Sequence, residues 1–200
     1  MNQSKLILAS NSPRRRELLA MIGANFTVLT ADCDEYVKKG TPPDQMVQEL
    51  ALRKANAAAA LLTAENNPFP IGTVIIGADT VVCDRGRILG KPRDEADAVE
   101  TLLSLSGHSH KVYTGIAAVG CDKILTDAVC TTVRFSRLTR DEAERYVATG
   151  EPMDKAGAYG IQGIGGIFVT GIDGDYYNVV GLPIARLRIM LSEGFGCRLI

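Results

Sequence analysis

The sequence carries almost no net charge. It contains 22 basic and 23 acidic residues, which gives a formal charge of -1 at pH 7. Proteins that hold nucleic acid through many phosphate groups normally have an excess of lysine and arginine. The balance therefore disfavours a general nucleic-acid-binding function, and we expect no nucleic-acid partner. A small anionic ligand is still compatible with it, because a few local cations suffice to bind one.

Long apolar segments and paired cysteines are also missing. No stretch approaches the roughly 20 apolar residues of a membrane-spanning helix, and residues 1–10 lack the apolar region and cleavage site of a signal peptide. The scattered cysteines form no C-x-x-C pair, which argues against a disulfide framework and a structural zinc site. We therefore expect a cytoplasmic protein without a membrane partner, in which five cysteines are reduced: Cys33, Cys83, Cys121, Cys130 and Cys197.

The composition is that of a single globular domain. The chain has 200 residues, of which 46% are hydrophobic and 22% are charged, so it can bury a sizeable core. It contains no internal repeat, no low-complexity tract and no long linker. We therefore predict one domain that covers residues 1–200.

Strand and helix patterns alternate along the chain, which predicts an α/β fold. Ser12 before Pro13 is a good start for one helix, and Thr139 with Glu142 forms a capping box for another. Short turns join neighbouring strands as hairpins, so we expect a mixed sheet and not a purely parallel one. The predicted strands are 5–9, 73–83, 88–89, 111–119 and 124–138, and the predicted helices are 13–22, 43–64, 94–105, 139–150 and one after 183. The segments 168–172 and 177–180 are expected to flank a further turn.

The first candidate site is the junction between the first predicted strand and the first predicted helix. The free N–H groups and the positive dipole end of a helix N-terminus favour phosphate, and Ser10 and Ser12 add hydroxyl groups. Arg14 and Arg15 place positive charge in the first turn, where it is unfavourable to the helix unless a polyanion binds there. The alternative is that Ser12 only caps the helix and that the arginines, Arg16 included, are solvated.

The second candidate site centres on Asp79, which interrupts the apolar strand 73–83. Gly77 and Ala78 precede it and are expected to leave room for a ligand near the backbone. A carboxylate in such a place is costly unless it is paired or binds a metal, so both an ion pair and a metal site stay open. Oxygen ligands for a divalent cation, together with lysines for phosphate charge, are what a triphosphate requires. The residues that supply them are Glu35, Lys54, Asp79 and Lys91.

The third candidate site is the segment 151–166, which has too many small residues for a packed element. Glycines let a backbone approach a ligand closely, and Lys155 and Gln162 supply donors, which suits a loop that wraps a ligand. Gln162 can donate and accept at once, as reading the edge of a base requires. The alternative is a glycine-rich connector whose polar residues are merely exposed.

The two histidines, His108 and His110, are separated by a single residue. This spacing on a loop invites a metal site, but no third ligand lies nearby in the sequence. We therefore expect hydrogen-bonded structural histidines and not metal ligands.

The ordered set of motifs resembles the Maf family of nucleoside triphosphate pyrophosphatases, also called septum formation inhibitor Maf proteins. No single motif is decisive, but their order along residues 6–191 is specific. The motifs that carry the resemblance are Leu8-Ala9-Ser10-Asn11-Ser12-Pro13-Arg14-Arg15, Gly77-Ala78-Asp79-Thr80, Gly90-Lys91-Pro92, Ser106-Gly107-His108, Thr114-Gly115 and Asp154-Lys155-Ala156-Gly157-Ala158-Tyr159-Gly160-Ile161-Gln162.

The resemblance implies a fold, a cofactor and roles for particular residues. The fold would be α/β, with a mixed sheet flanked by helices and two lobes around a cleft, similar to inosine triphosphate pyrophosphatases. The reaction would need a divalent cation, magnesium or manganese, and would release pyrophosphate from a nucleoside triphosphate. Carried over residue by residue, Asp79 is the proton acceptor, Glu35 and Asp79 are the metal-associated carboxylates, and the phosphate contacts are Ser10, Arg15, Lys54 and Lys91.

Three positions correspond to those that sort the branches of the family by nucleotide. Arg14, Thr80 and Gln162 stand there, and this combination resembles the branch that hydrolyses dTTP and UTP. Both normal and modified pyrimidine nucleotides stay open as cellular substrates. The resemblance also favours a homodimer. Two alternatives remain: a pyrophosphatase for 7-methyl-GTP or another nucleotide, and a nucleotide-binding regulator of septation without catalysis.

Overall fold

The computed structural model describes residues 5–64 and 69–199. Residues 1–4 of the N-terminal ten therefore lie outside the described residues, and the expected absence of a signal peptide stays a prediction. Most helices agree closely with the sequence patterns, but the helix Tyr176–Val180 was not predicted, since residues 177–180 were expected only to flank a turn. Three short 3-10 helices lie at Glu151–Asp154, Ala156–Ala158 and Ile164–Phe168. The strands are β1 (Lys5–Leu8), β2 (Phe26–Val28), β3 (Thr73–Asp84), β4 (Arg87–Leu89), β5 (Ser109–Val119), β6 (Ile124–Phe135) and β7 (Val169–Asp173). The helices are α1 (Pro13–Met21), α2 (Pro43–Leu62), α3 (Glu95–Leu105), α4 (Arg140–Val147), α5 (Tyr176–Val180) and α6 (Ile184–Phe195).

Within the described residues, seven strands form one mixed sheet. Their order is β2-β1-β3-β5-β6-β7, and β4 pairs with β3 outside this path. Strand β1 pairs in parallel with β2 and β3, whereas β4 is antiparallel to β3 and β7 is antiparallel to β6. The predicted α/β class and mixed sheet are therefore confirmed.

The chain divides into two compact units. The first contains the described residues up to Asp79, Thr114–Val129 and the described residues from Gly181 onward; the second contains Thr80–Tyr113 and Cys130–Val180. Two units agree with the two lobes that the resemblance implies. The cleft and the single domain over residues 1–200 stay predictions.

Helix α2 packs against the sheet in the first unit. Its alanines, among them Ala51 and Ala55, form a buried cluster with Ile75 of β3 and with residues of β1 and β5. A Cβ atom at Gly77 would overlap the carbonyl oxygen of Ala51, and one at Gly115 would overlap the backbone of the same helix. The expectation that Gly77 leaves room for a ligand is wrong, because the helix backbone fills that space.

The predicted helix caps are present. The Ser12 side chain accepts from Arg15 N, and the Thr139–Glu142 capping box has both of its reciprocal hydrogen bonds. Gly23 follows α1 with φ 69°, a left-handed conformation that suits glycine at the end of a helix. Local sequence signals therefore fix these helix ends, as expected.

The second unit has its own core, in which helices α3 and α4 pack with β5 and β6. The segment 151–166, predicted as a loop, contains the short 3-10 helices instead. All five cysteines are free, in agreement with the sequence analysis. Within the described residues, no helix combines the length and the apolar character needed to cross a membrane.

Candidate active site

Asp79 reaches Lys54 because of two simple periodicities. Residues two apart on a strand share a face, so Asp79 faces the same way as Gly77, which lies against helix α2. On that helix, Lys54 comes one turn after Ala51, the residue whose carbonyl oxygen lies nearest to Gly77. The Lys54 ammonium consequently donates to Asp79 Oδ1 over 2.6 Å. The close packing of helix on sheet thus sets the position of this pair.

Glu35 joins the same lysine from an irregular segment between β2 and α2. Its Oε1 lies 2.8 Å from Lys54 Nζ. The neighbouring Arg53 donates to the carbonyl oxygens of Asp34 and Tyr36, over 3.0 and 2.6 Å, and so holds the chain on both sides of Glu35. Arg53 is not among the residues that the sequence predicts for the site. Its position beside Lys54 on the same helix was the available signal.

The three members of this charged cluster differ in exposure. The side chains of Asp79 and Lys54 are 14% and 20% exposed, whereas that of Glu35 is 64% exposed. Burial by itself lowers the pKa of Lys54, but the attraction and hydrogen bonds of Asp79 and Glu35 outweigh it and raise the pKa above its ordinary value. Lys54 is therefore a firmly charged cation between two carboxylates.

Ser10 and Arg15 form a second group in the first unit. Arg15 Nη1 donates to Ser10 Oγ over 3.0 Å, and Arg15 Nε donates to the carbonyl oxygen of Gly181 over 2.8 Å. Burial lowers the pKa of Arg15 below its ordinary value. Attraction to Asp79 raises this pKa, and repulsion from Arg14 lowers it, but burial is the largest effect. The alternative of solvated arginines is thus wrong for Arg15, although Arg16 is exposed.

The first unit holds more than half of the residues predicted for the site. Attraction to Asp79 and to Glu35 raises the pKa of Arg15, so the guanidinium group interacts with both carboxylates. We call Glu35, Lys54 and Asp79 the Lys54 cluster, and Arg14 and Arg15 are its neighbouring arginines. The predicted residues of the first unit are Ser10, Arg14, Arg15, Glu35, Lys54 and Asp79.

The other four predicted residues belong to the second unit. Thr80 follows Asp79 on β3 and is half-buried, while Lys91 and Gln162 are exposed. Lys155 Nζ donates to the carbonyl oxygen of Glu151 over 2.5 Å and to Asp154 Oδ1 over 2.6 Å. Lys155 is therefore bonded within its own loop.

The histidines are hydrogen-bonded, as expected. His108 Nε2 lies 2.8 Å from Asp84 Oδ1, and His110 Nε2 lies 2.9 Å from the Tyr159 hydroxyl. The ring of His110 packs edge-to-face against Phe135 and Tyr159. These contacts give both residues a structural role in the second unit.

The donor set of the Lys54 cluster fits a divalent cation that is bound partly by its substrate. The described residues contain no group of three or more His, Cys, Asp or Glu side chains suited to hold a metal ion. Magnesium, however, commonly binds one or two carboxylates and completes its shell with waters and substrate phosphates. Glu35 and Asp79, which lie on either side of one ammonium group, supply two such carboxylates.

Comparison with known proteins gives a consistent result. A family model described as "Maf-like protein" matches residues 5–194. The chain is 50% identical over 192 residues to a dTTP/UTP pyrophosphatase of Bacillus cereus (strain ATCC 10987 / NRS 248), which covers 96% of this chain and 91% of that protein. It is 51% identical over 192 residues to a dTTP/UTP pyrophosphatase of Moorella thermoacetica, with 94% of each chain covered.

Among solved structures, the chain is similar to the Staphylococcus aureus Ham1 protein. The match has 17% sequence identity and a TM-score of 0.45, and it covers 66% of this chain and 71% of that one.

Proposed function

Because the chain belongs to the Maf family, we propose that it is a pyrophosphatase that hydrolyses dTTP and UTP to the nucleoside monophosphate and pyrophosphate. The observation that carries the proposal is the position of Asp79, a shielded carboxylate bonded to Lys54 beside Glu35. Two relatives named for this activity, with about half of their residues identical, support the choice of nucleotide. Modified pyrimidine nucleotides are included in the proposed substrate class.

Asp79 is the group proposed to accept the proton of the attacking water. Water adds to the α-phosphorus, its proton goes to the carboxylate, and the bond to the bridging oxygen breaks, so that pyrophosphate leaves. In this structure the Lys54 ammonium occupies Asp79 Oδ1. Lys54 would therefore pass from Asp79 to a phosphate oxygen when the triphosphate binds, which frees the base and neutralises the substrate in one movement.

Glu35 and Asp79 would hold the divalent cation, magnesium or manganese, together with phosphate oxygens. Such an ion, when bound, neutralises negative charge that develops on the phosphates. The oxygen character of both side chains supports this assignment, because hard cations prefer oxygen ligands. Arg53 would keep Glu35 in place through the backbone on both sides of it.

Phosphate contacts are proposed for the charged and hydroxyl groups around helix α1. The helix begins at Pro13, and its first N–H groups and dipole favour an anion. Ser10, Arg15 and Lys54 would add directed donors, and Lys91 of the second unit is assigned to phosphate by the resemblance. Preorganised positive groups of this kind are the main contribution that a protein makes to phosphoryl transfer.

Selection of the nucleotide is proposed for Arg14, Thr80 and Gln162, and substrate binding for Lys155. The exposed amide of Gln162 can donate and accept, which fits recognition of a pyrimidine edge. We also infer a cytoplasmic homodimer whose partner is the nucleotide and neither nucleic acid nor a membrane. The formal charge of -1 supports the exclusion of nucleic acid.

Pyrophosphate release from a nucleotide panel tests the proposal. The purified protein is assayed with dTTP, UTP, GTP and 7-methyl-GTP, each with magnesium, with manganese and with EDTA. We expect turnover of dTTP and UTP with either metal and none with EDTA. A preference for 7-methyl-GTP, or binding of dTTP without release of pyrophosphate, would contradict the proposal and support one of the two alternatives.

A further inference from the structure

The segment 151–166 is organised by the first residue in it. Glu151 Oε2 accepts from the backbone N–H of Ile164 over 2.8 Å, and Oε1 accepts from that of Gly165 over 3.1 Å. Oε1 also accepts from the Tyr146 hydroxyl over 2.8 Å. One carboxylate therefore holds the far end of the segment through two backbone amides.

Tyr146 holds the near end. Its hydroxyl oxygen accepts from the backbone N–H of Gly160 over 3.1 Å while donating to Glu151. Between these two anchored ends, Gly163 N donates to the carbonyl oxygen of Gly160 over 3.3 Å and closes a turn. Gln162 lies inside that turn, with its side chain exposed. The Glu151–Tyr146 pair thus holds both ends of the turn that carries Gln162.

The glycines of this segment make room for the pair. A Cβ atom at Gly163 would overlap the Glu151 carboxylate, and one at Gly165 would overlap the Tyr146 hydroxyl. A Cβ at Gly160 would crowd the Lys155 side chain. The sequence suggests that these glycines let a ligand approach the backbone. At these three positions, side chains of the same unit approach it instead.

The charge of Glu151 is stabilised by these donors. Burial raises the pKa of a carboxyl group, but the hydrogen bonds from Gly165, Tyr146 and Ile164 outweigh this and lower the pKa of Glu151 below its ordinary value. Burial and the hydrogen bond to Glu151 raise the pKa of Tyr146, so its hydroxyl stays protonated and can donate. The pair is consequently a charged acceptor with a permanent donor.

We propose that Glu151, together with Tyr146, is a positioning residue for nucleotide selection: it fixes the turn Gly160–Gly163 and thereby the placement of the Gln162 amide. The inference rests on the proposed function, since it presumes that Gln162 recognises the base. Glu151 itself touches no substrate in this scheme. By fixing the turn in the free protein, Glu151 lowers the entropy cost of ordering the Gln162 amide when the nucleotide binds.

The main experiment compares Glu151→Gln with Glu144→Gln. Glutamine has nearly the same shape but replaces one acceptor oxygen with a donor, so at least one of the three bonds is lost. Glu144 is the matched control, because it is an exposed carboxylate on α4 whose Oε1 lies 3.8 Å from Arg140 Nη1. The readouts are kcat and KM for dTTP, UTP and GTP, and the hydrogen exchange of the Ile164 and Gly165 amides.

We expect Glu151→Gln to lower the preference for dTTP over GTP about tenfold, the equivalent of one charge-assisted hydrogen bond. The loss should fall on KM more than on kcat. Gln162→Ala, which removes the amide itself, should shift the preference in the same direction. The two amides should exchange faster, whereas Glu144→Gln should match the wild type in every respect. Tyr146→Phe, which removes the hydroxyl alone, should shift the preference in the same direction.

Two results would overturn the inference. One is an unchanged nucleotide preference and unchanged amide exchange in Glu151→Gln. The other is an equal loss of turnover for dTTP, UTP and GTP together with a lower melting temperature in both Glu151→Gln and Tyr146→Phe, which indicates a purely structural role. If the wild-type protein releases no pyrophosphate from any nucleotide, the proposed function fails, and amide exchange alone then decides whether Glu151 fixes the turn.

Discussion

Asp79 in the first unit and Glu151 in the second are both shielded carboxylates, but they differ in their partners. Asp79 is bonded to the ammonium group at the end of the Lys54 side chain. Glu151 is bonded to two backbone amides and to the hydroxyl of a buried tyrosine. An ammonium on a long stem can rotate to another anion, whereas backbone amides are fixed by the fold. The partners therefore indicate which carboxylate is available for chemistry and which one holds structure.

The same contrast separates the lysines of the two units. Lys54 is bonded to carboxylates from distant parts of the sequence, and Lys155 is bonded to its own loop. A triphosphate can compete for Lys54 by offering more negative charge than two carboxylates do. Four substitutions test how far this distinction holds, in order of decreasing effect on turnover.

Replacement of Asp79 should have the largest effect. Asp79→Asn is expected to lower kcat for dTTP by at least about a hundredfold, the low end of the contribution of a general base. Circular dichroism should show the wild-type fold, and Asp122→Asn, an exposed acid in the β5–β6 hairpin, serves as the matched control. Near-normal hydrolysis by Asp79→Asn at saturating metal would remove the distinction between the two carboxylates.

Replacement of Lys54 should affect both turnover and stability. Lys54→Met is expected to reduce kcat by up to about a hundredfold, because a preorganised cation is lost, and to lower the free energy of unfolding by about 1–3 kcal/mol, because two carboxylates lose their partner. Urea unfolding and pyrophosphate release measure the two effects, with Lys123→Met as the exposed control.

The stability that Lys54 contributes also has a defined pH dependence. Its pKa is raised above the ordinary value of 10.5, so the contribution is complete below that pH and is lost as pH rises through the folded-state pKa. The difference between wild type and Lys54→Met should therefore be larger at pH 8 than at pH 12. An equal difference at both values would contradict the proposed charge state.

Replacement of Arg53 should have a smaller and more selective effect. Arg53→Met removes the donor to the carbonyl oxygens beside Glu35, so the metal concentration for half-maximal turnover should rise about five- to tenfold, which is within the net range of a typical hydrogen bond. A metal titration of activity measures this. Arg188→Met, an exposed arginine on α6, should leave the titration unchanged. Identical titrations for wild type and Arg53→Met would show that Glu35 needs no support from Arg53.

Replacement of His110 should have the smallest effect on turnover. Burial lowers the pKa of His110 to about 4. Attraction to Asp84 raises this pKa, and repulsion from His108 lowers it further. The ring is therefore neutral in the folded protein at pH 7.5. The unfolded chain binds this proton below about pH 6.5, and stability should fall as pH drops from there towards 4. Thermal melting at pH 7.5, 6 and 5 should show a shallower fall for His110→Gln at unchanged activity. An equal fall of the melting temperature with pH in the wild type and in His110→Gln would contradict this prediction.

Much of the fold could be predicted because its signals are local. Ser12 and Pro13 begin α1, Thr139 and Glu142 begin α4, and β-branched residues mark β3. Strand β2 was not predicted, since a strand of three residues gives too short a pattern and is held by its pairing with β1. The segment 151–166 was predicted as a loop because glycine content hides the 3-10 turns that tertiary contacts stabilise.

The Lys54 cluster could be predicted in part for the same reason. Asp79 is conspicuous in sequence as an acid within an apolar strand, and its bond to Lys54 is one of the two possibilities that the sequence leaves open. Arg53 and Glu151 act on backbone carbonyls and amides, which every residue has, so no sequence pattern indicates such partners. The role of Gly77 was misread because a glycine that admits a helix and one that admits a ligand look alike in sequence.

The contact of Gly77 with helix α2 links core packing to the chemistry of the charged cluster. Added carbon at this position would push the helix outward, and Lys54 and Arg53 would move with it, since both lie on that helix. A displacement of about 1 Å is enough to lose much of the rate of a positioned reaction. Screens of this enzyme for inactive variants should consequently recover substitutions at an internal glycine that meets neither nucleotide nor metal.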